Sequence, residues 1–375
     1  MRIGVPKEIK THEYRVGLTD VSVRELTSRG HSVMVQAGAG LGAGILDSDY
    51  AKVGASVVDD PAQIFATADM IVKVKEPQPE EYGFLRADQI LFTYLHLAPD
   101  PHQTEALLKA GCVGIAYETV TDRQGRLPLL SPMSEVAGRM AVQAGAHYLE
   151  KIYGGRGVLL GGVPGVDSGK IVILGGGVVG TNAAMVAAGM GADVTVLDKS
   201  PARLAELDYR WAGRVHTLYA TAHTIESQVV EADLLIGAVL IPGAATPKLV
   251  RQAMLAKMKR GAVIVDVAID QGGCIEGSRP TTHTHPIFEK DGVIFYCVAN
   301  MPGAVSRTST FALNNATLPY VLALADKGWQ KALRDDVGFR QGLNVVRGKI
   351  VYAPVATALG LPSYDADPFF EDGSF

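Results

Sequence analysis

The stretch KIVILGGGVVGTNAAMVAAGMGADVTVLD (170–198) decides the fold. An apolar run meets a glycine cluster, an Ala-rich segment follows, and a second apolar run ends in an acid. Gly175, Gly177 and Gly180 form GxGxxG between a strand pattern and a helix pattern. The first glycine permits a tight turn and the second lets the backbone approach a pyrophosphate. The third lets the helix pack closely on the strand, and the helix N-terminus faces the phosphates. Asp198 stands about 20 residues beyond that turn, where a carboxylate accepts hydrogen bonds from the ribose hydroxyls of NAD and disfavours the extra phosphate of NADP. GxGxxG alone is a weak signal. Strand, turn, helix, strand and acid in that order make a specific one, and the cofactor expected is NAD.

Around this unit the chain has the composition of an enzyme rather than of a nucleic-acid or membrane-surface binder. It has 375 residues, 47% hydrophobic and 20% charged, with a net charge of −4. Clustered Lys and Arg would be needed for a nucleic-acid partner or an anionic membrane. Cys112, Cys274 and Cys297 are widely spaced without a CxxC pair, a pattern that fits a reducing cytoplasm and gives neither a disulfide framework nor a metal site. Ile171–Ala192 could cross a bilayer on length alone, but its glycines and strand-turn-helix pattern point away from a membrane span.

The length is large for one core, so two domains are expected. Apolar runs at 2–6, 31–37, 55–58, 69–74, 90–96 and 112–117 read as strands. They alternate with helical segments such as 20–30 and 101–111, each closing on a glycine. A long helical pattern from Ser131 breaks this rhythm. A second set of strands follows at 170–176, 193–198, 233–239, 262–268 and 292–298. Near-continuous apolar strands separated by helices imply α/β, doubly wound parallel sheets. The run 345–354 fits the second sheet poorly and is assigned to the first.

Several polar residues interrupt these patterns. Lys73 and Lys75 lie in IVKVKEP, and His96 closes ILFTYLH. All stand where strands end, the side on which open parallel sheets bind ligands. A lysine entering an apolar sheet is unfavourable unless it reaches water or an anion. Singly, each reads first as structural; together they shift the balance towards a site for a small anion. In the second half, Asp266 falls inside a strand of VIVDVAIDQGG and Asp270 in the loop beyond it. Asn300 and Met301 occupy a similar loop in CVANMPGAVSRTST.

These motifs, with GVPKEIKTHEYRVGLTDVSVRELTSRG near the N-terminus, FTYLHLAPD and the glycine unit, resemble the alanine dehydrogenase and transhydrogenase family over nearly the whole chain. The resemblance implies NAD-dependent oxidative deamination of L-alanine to pyruvate and ammonium, and the reverse amination. It gives Arg15 and Lys75 to the substrate, Arg15 as the carboxylate clamp. His96 becomes the general acid/base, with Asp270 as its partner. It gives Ser134, Val178, Val179, Arg203, Val239, Leu240, Val267, Ala268, Ile269, Asp270, Arg279, Val298, Ala299, Asn300 and Met301 to the cofactor, beside Gly175, Gly177, Gly180 and Asp198. It implies two Rossmann-like domains with an active-site cleft between them: 1–130 plus 305–375 for substrate, 131–304 for NAD. It also implies a homo-oligomer, typically a hexamer. Competing readings are an NAD-binding transhydrogenase component, a 2-hydroxy-acid dehydrogenase and a non-catalytic NAD-binding regulator. The first calls for membrane spans. The second does not account for Lys75 and Arg15 together, and the third has no use for His96 and Asp270.

Overall fold

A computed structural model describes residues 1–239 and 246–370. The chain divides into two compact units, Met1–Met133 with Gly303–Phe375, and Ser134–Pro302. In chain order the strands are β1 (Arg2–Val5), β2 (Ser32–Gln36), β3 (Ser56–Val58), β4 (Met70–Val72), β5 (Ile90–Thr93) and β6 (Val113–Ala116). They continue with β7 (Lys170–Leu174), β8 (Asp193–Asp198), β9 (His216–Tyr219), β10 (Leu234–Gly237), β11 (Val263–Asp266), β12 (Ile287–Lys290) and β13 (Val293–Tyr296). β14 (Leu343–Val346) and β15 (Lys349–Ile350) complete the set among the described residues.

The first unit holds an eight-stranded sheet in the order β15-β14-β6-β5-β4-β1-β2-β3. Its six leading strands are parallel, and the order reverses between β1 and β4. β4, β5 and β6 are buried throughout, which is why their sequences lack polar alternation. The sheet is not wholly parallel as expected. β14 and β15 form a hairpin over the 345–354 region, and β14 adds antiparallel to β6. A short turn at Arg347 and Gly348, both with positive φ, can connect only antiparallel strands.

The second unit's sheet runs β12-β13-β11-β10-β7-β8-β9. Read from β7, this is the two-halved order of a dinucleotide-binding fold, with the reversal between β7 and β10. β12 joins antiparallel at one edge. Neither β9 nor β12 stands out in the sequence, because each is a partly exposed edge strand that mixes polar and apolar residues.

In the first unit, helix Ser306–Lys327 returns to the N-terminal segment through buried polar contacts. The Asn314 side-chain oxygen accepts from Thr19 N (2.8 Å) and Ser22 Oγ (2.9 Å), and its amide donates to Thr310 O (3.0 Å). Asn314→Ala would leave the buried Thr19 N–H without its acceptor and Ser22 Oγ with only Thr19 Oγ1 at 3.1 Å. It is expected to destabilise the protein by about 2 kcal/mol, read as a lower urea midpoint with an unchanged slope.

Candidate active site

In the first unit the chain leaves β1 and β4 on either side of the reversal, the place where an open sheet offers a crevice. Lys73, just beyond β4, is fully buried, and its ammonium lies 2.9 Å from Glu81 Oε1 and 3.2 Å from Glu8 Oε2. Burial opposes its charge, yet the two carboxylates hold its pKa above the ordinary lysine value. The expectation that Lys73 contributes to an anion site is therefore corrected. Its charge is satisfied internally.

Lys75 is different. Its backbone is held, with N 3.3 Å from Glu8 Oε1 and O accepting from Thr93 Oγ1 at 3.0 Å. Its ammonium has no hydrogen-bond or ion-pair partner among the described residues. Burial, assisted by Arg15 and Lys10 and opposed by Glu76, pushes its pKa below the usual lysine range. A cation held this way is poised for an incoming anion.

Arg15 is buried, and its guanidinium forks onto Glu13: Nε to Oε1 at 2.6 Å and an η-nitrogen to Oε2 at 2.5 Å. Its other η-nitrogen lies 3.0 Å from Met133 Sδ. The bidentate pair fixes the plane of the guanidinium. Arg15 also lines a 340 Å³ cavity with Lys7, Lys10, His12 and Tyr14; Lys75 and His96 do not line it.

His96 follows β5, with φ +49° and a side chain 43% exposed. Its ring lies parallel to that of Tyr94 at 5.7 Å. Backbone bonds Lys73 N to Phe92 O and Tyr94 N to Val74 O, both 3.2 Å, extend the β4–β5 pairing beyond its regular end. They bring the Lys75 and His96 segments out side by side. Glu118, which receives His96 N at 2.6 Å, was missed in the sequence. It follows the apolar run CVGIAY much as His96 follows its own, and that parallel was the available signal.

In the second unit the glycine turn behaves as its sequence requires. Gly175 has φ +98°, and a Cβ there would lie 2.8 Å from Ala238 O. A Cβ on Gly180 would fall 1.8 Å from Gly175 O, whereas one on Gly177 would meet nothing within 4 Å. The turn is thus closed towards protein and open at Gly177, as a backbone cradle for a diphosphate must be. Val178 and Val179 begin helix Val178–Gly189, Val178 exposed and Val179 buried. Asp198 ends β8 and accepts from Gly176 N (2.7 Å) and Ser200 N (2.8 Å). Arg203 grips the other side of the same residue, Nε to Gly176 O at 2.5 Å, reaches Thr181 Oγ1, and pairs with Glu206. Its charge is engaged within the protein.

The remaining positions are distributed over strand ends. β11 stops at Asp266, and Asp270 lies exposed in the turn Val267–Gln271. Asp266 is buried beneath that turn, accepting from Ser278 Oγ (2.7 Å) and Cys274 N (3.3 Å); burial raises its pKa against those bonds. Val267 is half-buried. Ala268 and Ile269 turn their side chains into the core, so only their backbone can meet a ligand. Val298 and Met301 are likewise buried, with Ala299 exposed between them. Asn300 adopts φ +60°, and its carbonyl oxygen lies 3.2 Å from His283 Nε2. Arg279 stacks over the Phe288 ring at 4.2 Å. Val239 packs partly on the core, Ser134 is half-buried, and Leu240 lies outside the described residues. A larger depression of 450 Å³, lined by Arg156, Lys170, Asp193 and Lys259, lies at the opposite end of this sheet from the glycine turn.

A doubly wound sheet of this order, with such a turn at its reversal, defines a dinucleotide-binding α/β protein. Residues 4–137 match the family model for the alanine dehydrogenase/PNT N-terminal domain, and residues 141–353 the model for its C-terminal domain. The chain belongs to the alanine dehydrogenase/PNT family, oxidoreductases whose Rossmann-type fold implies a nicotinamide cofactor. It is 61% identical over 366 residues to an alanine dehydrogenase of Halomonas elongata, covering 98% of this chain and 99% of that one. A solved L-alanine dehydrogenase superimposes with a TM-score of 0.94 at 53% identity, covering 96% of this chain and 99% of that chain. A transhydrogenase from Sinorhizobium meliloti gives 0.83 at 26% identity, covering 94% and 100%.

The two lysines are expected to respond oppositely to substitution. Lys73→Met strands two buried carboxylates and should cost about 3 kcal/mol or more. Lys75→Met should raise stability at pH 7, because a lysine with a depressed folded-state pKa opposes folding while charged. That gain should shrink as pH rises through the folded-state value and vanish above the unfolded value of about 10.4. Urea unfolding of both variants at neutral and alkaline pH measures the contrast.

Proposed function

We propose that the protein is an NAD-dependent L-alanine dehydrogenase, interconverting L-alanine with pyruvate and ammonium. The observation that carries this reading is Lys75: a half-buried lysine whose ammonium has no partner among the described residues, beside Arg15 and next to the strand end that bears His96. Such a set suits a small 2-oxo or 2-amino acid. Arg15, its plane fixed by Glu13, binds the carboxylate. Lys75 meets the carbonyl oxygen and stabilises negative charge as it develops there. When bound, the nicotinamide supplies the hydride acceptor for the alanine Cα and the donor in reverse.

His96 moves the protons. Oxidation of the amine leaves an iminium carbon, which water attacks; His96 takes a proton from that water and returns one as ammonia departs. Asp270 acts as a second catalytic group in the same reaction. On the cofactor side, Asp198 receives the ribose hydroxyls, which makes NAD the preferred nucleotide. Gly175, Gly177, Gly180 and the N–H groups of Val178 and Val179 hold the diphosphate. Ser134, Arg203, Val239, Val267–Ile269, Arg279 and Val298–Met301 complete its surroundings. The family resemblance also supports a cytoplasmic homohexamer. The higher identity to the alanine dehydrogenases than to the transhydrogenase favours the amino-acid reaction over hydride exchange between nucleotides.

The deciding experiment is NADH oxidation with pyruvate, with and without ammonium. Turnover that needs ammonium is expected; turnover indifferent to it rejects the proposal. His96→Ala should lower kcat about 100-fold or more, the usual scale for losing a general acid/base. Asp198→Ala should narrow the preference for NADH over NADPH by about tenfold, measured as the ratio of the two kcat/KM values.

A further inference from the structure

We propose that Glu118 is a positioning residue that sets the backbone and ring of His96 for proton transfer, an inference that rests on the function proposed above. Thr93 of β5 and Ala116 of β6 are register partners, so the chains leaving the two strands emerge as neighbours. Beyond Ala116 a single 3₁₀ turn, Tyr117–Thr119, carries Glu118 back towards the residues that follow Thr93. Its carboxylate receives two successive backbone donors, Leu95 N at 3.2 Å and His96 N at 2.6 Å. The same Oε1 lies 3.7 Å from His96 Nδ1.

These contacts explain an otherwise unfavourable backbone. His96 has φ +49°, a left-handed conformation that crowds an L side chain. Adjacent N–H groups turned to one side form an anion-binding concavity. A carboxylate filling that concavity holds the His96 backbone in this conformation. The Glu118 side chain is only 15% exposed, so water competes weakly for those bonds. The Tyr94 ring, parallel to the imidazole, guards one face, and the Tyr94 hydroxyl is anchored on Leu129 O at 2.6 Å. With Glu118 beside Nδ1, Nε2 is the nitrogen that exchanges protons with the substrate.

Steady-state kinetics on the full-length protein test the assignment. Glu118→Ala is expected to lower kcat about 100-fold, as misplacement of a reacting group by about 1 Å can do, while KM for pyruvate changes less than about threefold. Glu118→Gln keeps an oxygen acceptor for the two N–H groups and is expected to recover most of the lost kcat. Because Glu118 acts through His96, adding Glu118→Ala to His96→Ala should cause no further loss. Equal fold-losses in the two backgrounds would overturn the inference, and so would a Glu118→Ala enzyme with unchanged kcat. If Glu118→Ala does not fold, Glu118→Asp, which keeps the charge but withdraws it from the two N–H groups, carries the test: it must lower kcat when His96 is present and cause no further loss in His96→Ala, and any other outcome overturns the inference. Wild-type protein without ammonium-dependent turnover would refute the parent reading instead, which separates the two failures.

Discussion

The Glu8 carboxylate lies where two otherwise separate pieces of chain must be joined. One oxygen accepts from Val74 N at 2.7 Å and from Lys75 N at 3.3 Å, and the other pairs with Lys73. Burial raises the pKa of Glu8, opposed first by Lys73. A buried carboxylate must satisfy its oxygens from within the protein, so the segments leaving β1 and β4 are locked together. Lys75 is therefore presented by a backbone that has little freedom, although its own side chain has no partner among the described residues. The rest of the first unit's candidate site is arranged around that fixed exit.

Adjacent lysines of one sequence motif thus serve opposite ends. Lys73 contributes to stability because two carboxylates surround it. Lys75 opposes stability while charged, because burial surrounds it with too little compensation. This division is expected of binding sites, which keep interactions unsatisfied until a ligand arrives. The second unit shows a similar economy of backbone. Asp198 and Arg203 hold opposite sides of Gly176, leaving the outer face of the turn at Gly177 open.

Much of the architecture was legible along the chain. Strands such as KIVIL and ILFT are near-continuous apolar runs because both faces of a parallel sheet are covered, and that signal is strong. The glycine turn was equally plain, since its three glycines answer three separate steric demands. Edge strands β9 and β12 were not legible, because one-sided exposure dilutes the apolar pattern. Nor was Glu118, whose importance comes from register between β5 and β6 and not from its local sequence.

By itself, the sequence determined the class of fold, the nucleotide-binding turn, and the strand ends at which chemistry would be placed. These depend on local periodicity and on residues next to one another, which a linear reading captures. Only the tertiary structure decided which of Lys73 and Lys75 is neutralised, that Arg15 is oriented by Glu13, and that Arg203 is committed to Gly176 and Glu206. The physical reason is that a charge's role depends on its burial and on partners brought near by pairing and packing, and the order of residues records neither.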